Sequence, residues 1–187
     1  MSLKEIIDIR RAYRSLEPVE IPAELIADLA EHARLAPSCF NNQPWRYVFV
    51  RDRTVLGRFR EALAKGNEWA NDASMIVVVF TRKELDCDIK GREYFLFDTG
   101  MATAFIILRA TELGLVAHPI AGYSEDKVKE IVELPGDVKV ITLVIVGKHS
   151  SEIKPVLSEK QVEWEKTRPE RLPLEKFVFF DRYKAEK

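Results

Sequence analysis

The chain has 187 residues, enough for one domain that buries roughly 70% of its unfolded surface. Its 29 basic and 30 acidic residues leave a formal net charge of −1, which argues against a general electrostatic affinity for nucleic acid or an anionic membrane. Two cysteines, Cys39 and Cys87, and the scattered His32, His118 and His149 lack metal-ligand spacing, so neither a metal site nor a disulfide framework is expected.

Two free thiols suit a reducing, cytoplasmic setting. Met1–Glu5 lacks the apolar stretch of a signal peptide. The most apolar segment, around 95–115, carries Asp98, Arg109 and Glu112, which marks a buried helix and not a membrane span.

In chain order, residues 3–12 predict a short helix. A second helix starts near Pro22, with Leu25, Ile26, Leu29 and Ala33 as its apolar stripe. Pro37 ends that pattern. Residues 45–51 read as a strand and 52–65 as a helix with Leu56, Phe59 and Leu63 on one face. The run 75–80 is short and β-branched, a strand buried on both faces. Residues 92–113 predict the longest helix, stopped by Gly114. A strand at 115–120 follows, then a helix capped by Ser124 with Glu125 and Asp126 in its first turn. Val138 to Val146 reads as another central strand. The charged tail holds a helix near 159–167, and Phe177–Phe180 predicts a strand, paired with a sheet in another subunit. The sum is an α+β sandwich, one domain over 1–187 with a dimerisation extension from about 150.

Four segments could carry chemistry. Ser38-Cys39-Phe40-Asn41-Asn42-Gln43 lies between two prolines, and its amides match a planar heterocycle's donors and acceptors as readily as they cap a turn. Arg10-Arg11-Ala12-Tyr13-Arg14 places three guanidiniums within five residues, which suits a phosphomonoester or a solvated helix end. Pro119-Ile120-Ala121-Gly122 is a strand–helix turn whose Gly122 permits close backbone approach. Arg168 to Pro173 supplies a second basic site or a charged loop. No phosphate-binding P-loop, dinucleotide fingerprint or hydrolase triad is present, so redox chemistry would need a cofactor.

Taken together and in order, Arg10–Arg14, Pro37-Ser38-x-x-Asn41-x-Gln43-Pro44-Trp45, Pro119-Ile120-x-Gly122 and Arg171-Leu172-Pro173 resemble the nitroreductase-like family of FMN-dependent oxidoreductases across almost the whole chain. The resemblance implies an intertwined homodimer with a mostly antiparallel sheet, a C-terminal strand exchanged between subunits and FMN at the interface. It implies cofactor contacts from Arg10, Arg11, Ala12, Arg14, Pro37, Ser38, Cys39, Asn41, Gln43, Lys65, Asn67, Pro119, Ile120, Ala121, Gly122 and Arg171. Phe40 and Trp69 fall in its substrate pocket. NADH or NADPH would reduce the flavin and then yield the pocket to a nitroaromatic or quinone acceptor, with no side-chain nucleophile and electrostatic help from Arg14. Reductive dehalogenation, flavin destruction or flavin binding without turnover are the alternatives on the same scaffold. Ala12 stands where many relatives place Ser, and Cys39 and Phe40 replace smaller polar residues.

Overall fold

Strand β3 (Met75–Thr81) forms the centre of the sheet in the computed structural model, which describes residues 1–183. Met75 to Val79 are at most 1% exposed, as a run with apolar residues on both faces requires. β3 pairs antiparallel with β2 (Arg46–Val50) on one side and β7 (Lys139–His149) on the other. β6 (Val116–Ile120) pairs along the far edge of β7, and the two-residue β1 (Leu16–Glu17) pairs with the end of β7, setting Leu16 opposite His149. Every pairing is antiparallel, in agreement with the expected α+β sandwich.

The two faces of the sheet carry separate cores. Met75, Val77, Val79, Val144 and Val146 pack against Leu29 and Ala33 of α2 (Ala23–Arg34) and Ala102, Ile106 and Ala110 of α4 (Tyr94–Glu112). Ile76, Val78, Leu143 and Ile145 point the other way, onto Phe59, Trp69, Leu157 and the Val128 and Ile131 side chains of α5 (Glu125–Ile131). Each buried aliphatic side chain contributes about 1.5–3 kcal/mol by leaving water.

Element ends depart from the sequence pattern where caps intervene. α1 (Leu3–Ile9) opens on a Ser2–Glu5 capping box and stops short of residue 12, because Arg10 leaves the helical region (φ −56°, ψ 121°). The helix expected over 52–65 is α3 (Arg53–Arg58), capped by Asp52, followed by a 3₁₀ turn that buries Phe59. The small hairpin β4 (Asp88–Ile89) and β5 (Arg92–Glu93) has no periodicity to announce it. α6 (Glu159–Lys166) lies where the sequence places it.

One expectation depends on a second subunit. Phe177–Phe180 forms no strand: its residues follow a 3₁₀ turn at Leu174–Lys176, and all four are exposed. A strand exists only when a neighbour completes its ladder, and no strand of the described residues lies beside it. Residues 184–187 of the expected dimerisation extension lie outside the described residues.

Candidate functional site

The basic segment is extended because the chain is tied down on both sides after α1. The Glu165 carboxylate, buried at 7% exposure, accepts the backbone N–H groups of Arg14 (2.6 Å) and Ser15 (3.2 Å). Arg11 donates to the carbonyls of Trp164 (2.5 Å) and Glu165 (3.3 Å), and Arg168 to those of Asp8 (2.5 Å) and Arg10 (3.0 Å). These two guanidiniums therefore build the wall of a cavity. It has a volume of about 290 Å³ and is lined by Arg10, Arg11, Ala12, Arg14, Trp164, Arg168, Pro169 and Arg171.

Among the described residues, the guanidiniums of Arg10 and Arg171 make no hydrogen bond and no ion pair. Burial, and then the charges of Arg168 and Arg171, push the Arg10 pKa down. Arg14 is desolvated in the same way and lies over the rings of Trp164 (5.4 Å) and Trp69 (5.9 Å). A cation cluster with unspent donors is a receptor for an anion; a bidentate phosphate satisfies several guanidiniums at once.

A second cluster gathers around Gly122 and is tied to α6. Gln161 of α6 donates to the Gly66 carbonyl (2.8 Å). Asn67 donates to the Gly122 carbonyl (2.9 Å), which also accepts from the Ala64 N–H (3.0 Å). A Cβ on Gly122 would meet the far end of the Asn67 amide, so a larger residue there displaces that side chain from the Gly122 carbonyl. No hydrogen bond uses the Gly122 N–H among the described residues. Lys65 and Ala121 are exposed beside this turn and Pro119 is exposed on β6, while Ile120 turns its side chain into the core.

The Pro37–Gln43 loop is a third piece. Phe40 (φ 47°), Asn41 (φ 59°) and Gln43 (φ 51°) all occupy the left-handed region, at a cost of roughly 1–2 kcal/mol each. Gln43 N–H donates to Ser38 Oγ within the loop (2.9 Å), and Cys39 N–H ties it to the Asp98 carboxylate of α4 (2.7 Å). The Asn41 side-chain amide makes no hydrogen bond among the described residues, and the residue is exposed. Burial, then a hydrogen bond and charge from Asp86, raise the Asp98 pKa.

Cys39 is bonded to Cys87, which corrects the expectation of two free thiols and removes the argument for a reducing compartment that rested on it. The 48-residue separation hides the pairing in sequence; folding brings both loops over the start of α4. Among the described residues, no helix is long and apolar enough to cross a membrane.

In one chain the loop and the arginine cavity lie at opposite ends of α4. Cys39 meets Asp98 near its N-terminus, whereas Arg11 and Tyr13 border Thr111 and Gly114 at the other end. The helical rise between Asp98 and Thr111 is about 20 Å.

These segments fall within known sequence and structure. Residues 7–68 and 61–148 match the nitroreductase family. The chain belongs to that family. An Archaeoglobus fulgidus protein provisionally named an NADH dehydrogenase/NAD(P)H nitroreductase is 30% identical over 151 residues, covering 76% of this chain and 83% of its own. An iodotyrosine deiodinase of Haliscomenobacter hydrossis is 27% identical, with 76% and 77% covered. A solved oxidoreductase containing FMN superposes with a TM-score of 0.83 at 28% identity, over 97% of this chain and 92% of that one.

Against this nitroreductase frame, two side chains separate sharply. Trp69 is corrected from pocket to core: it is 1% exposed and stacked on His118 at 4.7 Å, so its ring faces no open cavity. Phe40 is 86% exposed at the tip of the strained loop. Phe40→Ser is expected to change relative kcat/KM between bulky and small acceptors with little loss of cofactor. An unchanged acceptor profile, measured beside flavin content, would remove Phe40 from the pocket.

Proposed function

We propose that this nitroreductase-family chain is an FMN-dependent NAD(P)H oxidoreductase acting on nitroaromatic or quinone-like acceptors. The observation that carries the reading is the pair of unspent guanidiniums, Arg10 and Arg171, converging from sequence-distant segments on one cavity. They fit the phosphate end of flavin mononucleotide, with Arg14 beside them. The backbone at 65–67 and the Gly122 turn, tied to α6 by the Gln161–Gly66 hydrogen bond, suit the ring end. When bound, the flavin supplies two-electron redox chemistry that side chains lack. The protein's part is to hold the phosphate, to place a backbone N–H at the ring edge through Gly122, and to set a positive charge near the ring through Arg14.

We further infer a homodimeric site. The Ser38–Gln43 loop lies about 20 Å away along α4 from the arginines of its own chain, so a second copy is the natural source of the loop over a given cavity. The exposed Phe97, Phe105 and Phe177–Phe180 provide apolar surface for that partner. Mixing Arg14→Ala with Asn41→Ala chains then creates one site with both native segments and one with both substitutions. Activity above either parent homodimer is expected; purified heterodimers without recovery would reject the shared site.

Purification without added flavin, followed by an absorbance spectrum and anaerobic titration with NADH and NADPH, tests the main reading. A colourless protein that takes up no FMN would sink it. The likeness to an iodotyrosine deiodinase favours a second reading, reductive dehalogenation. Competition among a nitroaromatic, a quinone and iodotyrosine at matched flavin content separates the two.

A further inference from the structure

Three non-glycine residues in the left-handed region make 38–43 a loop that must be held in place. Its covalent anchor is the Cys39–Cys87 bond, whose two cysteines are both half-buried and so within reach of soluble thiols. The anchor is reinforced on the same side: Asn42 directs its amide at the Asp86 carboxylate (3.3 Å) and at Cys87 Sγ (3.4 Å). Cys87 lies outside any strand, just before the hairpin. Of the loop's hydrogen bonds, those from Gln43 N–H to Ser38 Oγ and from Asn41 N–H to the Ser38 carbonyl run within it, and one ties it to α4, from Cys39 N–H to the Asp98 carboxylate (2.7 Å). Opening the disulfide therefore removes the strongest tie between this loop and the body.

We propose that the Cys39–Cys87 disulfide is a reversible thiol–disulfide lock that holds the 38–43 loop in its left-handed conformation when closed and releases it when reduced by a dithiol. A thiolate of the dithiol attacks one protein sulfur, and the S–S bond breaks. The displaced protein sulfur takes a proton. The reductant's second thiol then displaces the other protein sulfur from the mixed disulfide, and that sulfur too is protonated. The protein gains two thiols while the reductant leaves as a cyclic disulfide.

A carboxylate oxygen of Asp86 and both sulfurs lie within 4.8 Å of one another. That negative charge opposes a thiolate on either cysteine, which makes each a poor leaving group and slows exchange with simple monothiols. A dithiol is favoured because its second thiol resolves the mixed species within one molecule.

The consequence for FMN rests on the reading that this loop covers the cofactor. If release leaves the loop in its competent conformation a tenth of the time, binding weakens about 10-fold.

The test compares the flavin-free full chain in oxidised and in reduced dithiothreitol, with thiol state read by mass after alkylation. Amide exchange in peptides covering 38–43 is expected to rise about 10-fold or more on reduction and to return on reoxidation, with β3 peptides unchanged. Equal exchange in both states, or cysteines that do not re-form the bond, would overturn the lock. Cys87→Ser should exchange fast under both conditions; if it fails to fold, the wild-type pair still differs only by the bond. FMN affinity is then measured in both states. A loosened loop with unchanged FMN affinity upholds the lock and overturns the loop's part in flavin binding.

Discussion

Arg171→Ala is expected to weaken FMN retention by roughly 10- to 150-fold, the loss that follows from one charge-assisted phosphate contact of about 1.5–3 kcal/mol. Arg171 is exposed, which places the effect toward the lower end. The free protein should lose almost no stability. The Arg171 guanidinium has no partner among the described residues, and its charge is one of those that push the Arg10 pKa down. Arg168→Ala is the contrasting case. Its guanidinium holds the Asp8 and Arg10 carbonyls, so its loss should lower both FMN affinity and thermal stability. Riboflavin, which lacks the phosphate, should bind wild type and Arg171→Ala nearly equally. An equal loss for both ligands in calorimetric titration would place Arg171 away from the phosphate. The FMN effect should also shrink as salt is raised, because an exposed guanidinium is screened.

The sheet was readable because its central strands are extreme in composition. Met75–Val79 and Val144–Val146 leave no polar face, and a run of that length has few alternatives to a buried strand. The basic clusters were readable as residues but not as roles. Only the fold shows that Arg11 and Arg168 are spent on carbonyls while Arg10 and Arg171 are not. Nothing in the sequence marks Glu165. A lone glutamate in a charged helix carries no sign that it will be buried under the Arg14 and Ser15 amides.

The disulfide and the Trp69–His118 stack escaped for the same reason, since each joins segments about 50 residues apart. Phe177–Phe180 was legible only as apolar. Whether such a run is a strand depends on a neighbour, which its own residues do not supply.

His118 is expected to make the fold acid-sensitive. Its ring is 6% exposed, stacked on Trp69, with Nδ1 3.1 Å from the Tyr13 carbonyl, so Nδ1 carries the proton of the neutral ring. Burial is the main cause that pushes its pKa down to about 4, and the charges of Arg14 and Arg10 add to it; the Tyr13 carbonyl opposes them. The unfolded chain takes up this proton near pH 6.5, whereas the folded chain does not until about pH 4. Between those values the unfolded state binds more protons, so stability rises with pH across the window and is lost as pH falls through it. Below both values the loss levels off. From about pH 7 to about pH 5 the contribution is a loss of about 2 kcal/mol. Urea unfolding of wild type and His118→Asn at both pH values checks this. The Asn amide keeps a donor for Tyr13 but does not titrate. The variant starts less stable, having lost the stack on Trp69, yet its stability should fall by about 2 kcal/mol less across the interval. A variant that loses as much as wild type would assign the acid sensitivity to another group.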